Sequence, residues 1–170
     1  TVRARPVREV VDPLDQNRDI HNAMDFLLAE ESVDPGLLGL WGSSYGGGHV
    51  IHLAGTDPRV RVVVAQVPGM GTALDEHGFA YISEEGQRVG SAMARGEIEL
   101  VGRSPDLPES LKGAGDARTM WLYHPRSAAA NIRVPTLIID QEHEEYGGRE
   151  NSGLAAKNVI PHETVVEYHV

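Results

Sequence analysis

The chain of 170 residues contains no cysteine. Disulfides, thiolate nucleophiles and cysteine-ligated zinc or iron-sulfur centres are therefore excluded, while the redox compartment is left open. Basic residues are scarce, with 15 Lys and Arg against 25 Asp and Glu and a formal net charge of -10. A broad electrostatic grip on nucleic acid phosphates or on an anionic membrane is not expected from such a balance. No apolar run is long enough to cross a bilayer and no basic-then-apolar leader opens the sequence, so the default location is the cytoplasm. No methionine precedes Thr1, which fits a processed chain or a piece cut from something longer. What is present suits one ordinary domain, because a 41% hydrophobic content at this length can build a core.

After the basic opening TVRARPVREV, Asp12 caps and Pro13 starts a helix in which Ile20, Ala23, Met24, Leu27 and Leu28 recur at helical spacing. The tetrapeptide VDPG breaks it. LLGLW is then a short apolar run of the kind a buried parallel strand shows, and a glycine-rich stretch leads into HVIHLAG, a short helix ending near Gly55. TDPR marks a turn, and VRVVVAQVP reads as a second buried strand. From Gly69 to Asn131 the pattern dissolves into glycine, proline and charge, the signature of a lid, binding loop or insertion. IRVPTLIID is a third strand, NSGLAAKNVI a helix and HETVVEYHV a fourth strand. This alternation predicts an α/β protein with a parallel sheet flanked by helices.

The stretch LGLWGSSYGGGHV carries the chemistry. Gly42, Ser44 and Gly46 fit G-x-S-x-G, with a strand before and a helix after. A turn that sharp strains the serine backbone, and side chains two residues to either side would collide with strand and helix, with Gly47 and Gly48 widening the clearance. Ser44 then stands as a nucleophile over a helix amino terminus, where the N–H of Tyr45 can donate to a developing oxyanion. The plain alternative is that Ser44 merely caps the helix. Ser43 lacks the flanking glycine spacing, and a phosphate-cradling loop lacks both a following lysine and G-x-G-x-x-G.

Taken together, the segment from DPLDQNRDI to VVVAQVP resembles the middle of an α/β-hydrolase, nearest to the dienelactone-hydrolase-like and acyl-peptidase-like serine esterases. Such proteins share the helix, the V-D-P turn, the strand into G-x-S-x-G-G and the D-P-R turn into a valine-rich strand. The resemblance implies a partial α/β-hydrolase fold in which the strands correspond to the fifth to the eighth. Residues 1–68 and 132–170 would form the core, and residues 69–131 a cap or lid between the sixth and seventh strands. An internal fragment is the expectation, one that leaves a sheet edge and helix faces uncovered and is marginal alone. In VPTLIIDQEHEEY the resemblance sets Glu144 on the triad acid position, with Asp140 as second choice. The family's histidine follows the next strand, so none is identified in the chain. His169, inside that strand pattern, is a weak fallback, and His162 precedes the strand as a turn residue. His49 and His52 share a helix face, as packing residues or as two ligands lacking a third. His21, His77, His124 and His143 stand in no motif.

The implied activity is a serine hydrolase acting on carboxylic esters, with lactones or amides behind them, through an acyl-enzyme. The same features suit an acyltransferase, a peptidase or a non-catalytic hydrolase-like ligand-binding domain. No cofactor or metal is called for. The expected partner is a small-molecule ester or acyl substrate, with no nucleic acid and no membrane, and a homo-oligomer is neither indicated nor excluded. In the cap, Phe79, Tyr81, Met93, Met120, Trp121 and Tyr123 would line a pocket or form a small satellite core.

Overall fold

The computed structural model describes residues 10–71, 84, 88, 91, 95, 114–115, 123–143 and 148–170. The chain divides into two compact units, Thr1–Asp19 with Leu74–Tyr123 and Ile20–Ala73 with His124–Val170. In the first, β1 (Val10–Val11) pairs in parallel with β4 (Ala114–Gly115). The helix α1 (Pro13–Leu28) begins as its sequence predicts. Asp12 Oδ1 accepts from the N–H groups of Leu14 at 2.9 Å and Asp15 at 3.1 Å, satisfying donors that the first turn leaves open.

The second unit holds a sheet of four parallel strands, β2 (Gly39–Ser43), β3 (Val62–Gln66), β5 (Thr136–Ile139) and β6 (Val166–His169), in the order β2-β3-β5-β6. Among the described residues three α-helices lie wholly within it, α2 (Tyr45–Thr56), α3 (Pro125–Ala129) and α4 (Gly153–Val159), and the Ile20–Leu28 part of α1 clusters with it as well. Two boundaries differ from the sequence reading. The first strand lies two residues later than LLGLW, because Asp34 accepts from Gly36 N–H at 2.8 Å and holds Pro35–Leu37 in a turn of 3-10 helix. The helix after it starts at Tyr45 rather than His49, so the glycines form its first turn. α3 also falls within the stretch expected as an insertion, yet it clusters with the second unit.

The register explains the core. Leu40, Val63, Thr136 and Val166 form one row across the sheet, and Gly42, Ala65, Ile138 and Tyr168 the next on the same face. Val63, Ala65 and Ile138 are fully buried there together with Ile51, Ala129, Ile132 and Ala156. Each large aliphatic side chain removed from water contributes about 1.5–3 kcal/mol. The opposite face carries Trp41, Val64, Leu137 and Glu167 in one row, and Trp41 is 66% exposed. No helix among the described residues is long and apolar enough to cross a membrane.

Candidate functional site

β2 passes into α2 through the single residue Ser44. Ser44 has φ 54 and ψ -120, a conformation that residues with a side chain rarely adopt and that costs of order 1–3 kcal/mol. Something must hold it, and the main chain does. Ser44 N–H donates to Gln66 O at 2.9 Å, while Ser44 O accepts from Gly69 N–H at 2.9 Å and Gly48 N–H at 3.2 Å. The end of β3 and the segment after it are thus bonded to both sides of the serine. Val67 in that segment also has a positive φ of 39, an outlier for a β-branched residue, and its N–H donates to Ile139 O at 2.7 Å.

Close approach explains two glycines. A Cβ on Gly42 would lie 2.3 Å from Gly46 O, and one on Gly47 would lie 2.8 Å from Pro68 Cα. Both obstacles are fixed atoms of the backbone. The expectation that Gly46 also needs clearance is corrected, because a Cβ there meets nothing within 4 Å. Ser44 itself is exposed and its side chain makes no cap hydrogen bond to α2, so its hydroxyl is not spent on helix capping. Ser43 is half-buried in the strand. Tyr45 opens α2, which puts its N–H among the first-turn donors that face out of the helix end. Its ring meets the His49 ring edge-on with centroids 4.6 Å apart.

His49 is buried, and burial, reinforced by nearby His52, lowers its pKa from 6.5 to about 4. His52 is lowered by burial and then by His21 and His124. Neutral imidazoles are therefore the resting forms on the inner face of α2. Among the described residues, no three His, Cys, Asp or Glu side chains converge to hold a metal ion.

Asp140 lies at the carboxyl end of β5, where it is buried and accepts three hydrogen bonds. Its partners are Ser152 Oγ at 3.2 Å, Leu154 N–H at 3.1 Å and Tyr168 Oη at 3.0 Å. The carboxylate thereby anchors the start of α4. Burial, then the bond to Asp140, raises the pKa of Tyr168. Glu144 lies outside the described residues, as do His77, Phe79, Tyr81, Met93, Met120 and Trp121, whereas Tyr123 is half-buried. His143 and His162 are an exposed and an exposed turn residue, respectively.

His169 is the last residue of β6 and is exposed, 3.7 Å from Glu167. It shares a row with Ser43 through Gln66 and Ile139. Three strand spacings put the backbones of Ser43 and His169 about 14 Å apart, so the fold does not bring that imidazole to Ser44.

Sequence reasoning missed two ionic features. The sequence marks D-P-R only as a turn, yet Asp57 is buried and accepts from Arg59 Nε at 3.0 Å and Nη2 at 2.6 Å. Those bonds, the first cause, take its pKa down to about 2. Arg59 also pairs with Asp25 of α1, and His21 Nδ1 lies 2.9 Å from Asp57 Oδ2. An aspartate followed two residues later by an arginine is the signal the sequence offers. The second feature is Arg126 of α3, whose Nη2 donates to Gly71 O, Glu150 O and Asn151 Oδ1. Nothing local in the sequence announces it.

No family model matches the chain. An uncharacterized 31.7 kDa protein of the traX-finO intergenic region of Escherichia coli is 40% identical over 152 residues, covering 75% of this chain and 53% of that protein. The quorum-quenching protein AidA of Acinetobacter baumannii is 25% identical over 158 residues, covering 88% and 52%. The thiohydrolase apmlB of Arthrinium phaeospermum is 39% identical over 61 residues, covering 36% and 20%. The chain spans about half the length of the first two relatives. Among solved structures, DcsB in complex with its substrate analogue has a TM-score of 0.68 at 18% identity, covering 96% of this chain and 65% of that one. The alpha/beta hydrolase GrgF from Penicillium sp. sh18 has a TM-score of 0.60 at 14% identity, with coverages of 96% and 65%. An acetyl xylan esterase from Paenibacillus sp. R4 has 0.58 at 19%, with 91% and 45%.

Proposed function

We propose that this chain, which has the α/β-hydrolase fold, is the nucleophile-bearing part of a serine hydrolase that cleaves carboxylic esters through an acyl-enzyme. The observation that carries the reading is Ser44: exposed, strained at a strand-to-helix turn, and with a hydroxyl not spent on capping. Names among the relatives and neighbours, a thiohydrolase and an acetyl xylan esterase, describe acyl transfer to water and support the same reaction class.

In this reading Ser44 Oγ adds to the ester carbonyl carbon as a histidine base accepts its proton. Glu144 orients that histidine, which is not identified among the described residues. The carbonyl oxygen becomes an oxyanion facing the N–H of Tyr45 at the start of α2. Collapse breaks the carbon–oxygen bond to the alcohol, which leaves with the proton from the histidine. Water then attacks the acyl-serine by the same route, releasing the acid and restoring Ser44.

The test is labelling of the purified protein with a fluorophosphonate, with peptide mapping and assay of 4-nitrophenyl acetate. Label on Ser44 and a loss of ester turnover of at least about 1000-fold in Ser44→Ala are expected. An unlabelled Ser44 together with undiminished turnover in Ser44→Ala would exclude this mechanism.

A further inference from the structure

Arg126 sits near the carboxyl edge of the sheet, tied to the end of the segment that holds Ser44. Its Nη2 donates to Gly71 O at 3.0 Å, Glu150 O at 2.7 Å and Asn151 Oδ1 at 3.4 Å. All three acceptors are neutral. Among the described residues no carboxylate pairs with Arg126, and its buried Nε has no hydrogen-bond partner. Burial lowers the pKa of the guanidinium. Arg126 is half-buried, and a cation partly drawn out of water is stabilised by a paired, hydrogen-bonded anion.

The position ties this cation to the reaction site. Gly69 N–H is bonded to Ser44 O, and Gly71, two residues on, accepts from Arg126. Two residues of chain span at most about 7.6 Å between Cα atoms, so with the hydrogen bonds at either end the guanidinium lies no more than roughly 17 Å from the serine main chain. A substrate that carries its charge at the far end of its acyl or alcohol chain falls within such an interval. Guanidinium also offers donors in a planar fork, and among the described residues its protein hydrogen bonds all come from one nitrogen.

We propose that Arg126 is a specificity-determining residue that binds a carboxylate on the substrate, so that the preferred substrate class is an ester bearing a free carboxylate. The inference rests on the serine-hydrolase reading for its ester and on Arg126 alone for its charge. The chain's net charge of -10 repels anions at long range, so the selectivity has to come from this short-range contact and persists at high salt.

The experiment compares kcat/KM for neutral 4-nitrophenyl acetate with two anionic esters, 4-nitrophenyl hydrogen glutarate and 4-acetoxybenzoate, which carry the charge on the acyl and leaving sides. The wild type is expected to prefer one anionic ester. Arg126→Gln should cut that preference by about 10-fold to 100-fold, chiefly through KM, with Arg126→Lys keeping part of it. A wild type without preference for either anionic ester, or an Arg126→Gln loss equal on neutral and anionic esters, overturns the proposal. The second result would leave Arg126 as a clamp on the loop. If no ester is turned over and Ser44 takes no label, the hydrolase reading fails by itself. The carboxylate site is then read by thermal stabilisation with glutarate against neutral glutaramide. Protection by glutarate in the wild type and not in Arg126→Gln upholds the site, and its absence in the wild type overturns it.

Discussion

Lowering the pH from about 7.5 to about 5 sets the burial of His49 against the proton affinity of the unfolded chain. In the fold His49 is buried and its pKa is lowered from 6.5 to about 4. Between those two values the unfolded chain binds the proton and the folded chain does not, so stability rises with pH and falls as pH drops from 6.5 towards 4. Above 6.5 both states are neutral at His49 and the effect vanishes. At 1.36 kcal/mol per unit the full loss is about 3 kcal/mol, of which about 2 kcal/mol has been spent by pH 5. The assay is urea unfolding followed by circular dichroism at both pH values and constant ionic strength, on the wild type and His49→Leu. His52 is lowered too, chiefly by burial, and stays in both proteins, so its burial contribution cancels in the comparison. The wild type should lose about 2 kcal/mol more than the variant on acidification. An equal loss in the two proteins would mean that His49 is solvated or charged in the fold, and the reasoning would be wrong.

Two further substitutions probe the frame around the serine. Gly42→Ala puts a methyl group 2.3 Å from Gly46 O, with backbone on both sides. It should destabilise by about 1–3 kcal/mol and remove fluorophosphonate labelling of Ser44, whereas Gly46→Ala, with open space, should keep the label. Retained labelling in Gly42→Ala would refute the steric account. Asp57→Asn removes the anion that binds Arg59, and thermal melts should show a loss of about 2 kcal/mol at neutral pH. Because the folded pKa of Asp57 is lowered from 3.8 to about 2, its contribution is present above 3.8 and disappears as pH falls through about 2. Wild type and Asp57→Asn melts should therefore converge in that window, and a constant gap would count against the ion pair.

Local signals were legible where a residue's neighbours in sequence are also its neighbours in space. Asp12 and Pro13 start α1, and the valine run of β3 and the proline-led β5 fall where their patterns place them. Gly46, Gly47 and Gly48 read as a loop because glycine is a poor helix former, yet they are the first turn of α2. The reason is long-range: Gly47 packs against Pro68, a contact that no window around the serine contains. The same holds for the bonds from Gln66 and Gly69 to Ser44, and for Arg126, whose acceptors lie 24 to 55 residues away. Strand β6 was legible, but the distance of His169 from Ser44 follows only from strand order.

The brace on Ser44 is assembled from main-chain groups: one amide and one carbonyl of the serine, a carbonyl at Gln66 and amides at Gly48 and Gly69. Nearly any side chain can be hung on a peptide group without altering its donor or acceptor. Side chains around the serine can therefore change while the trigger keeps its shape, except at Gly42 and Gly47, where a single methyl would strike backbone. Selectivity and reactivity become separately heritable, one written in side chains such as Arg126 and the other in the path of the chain.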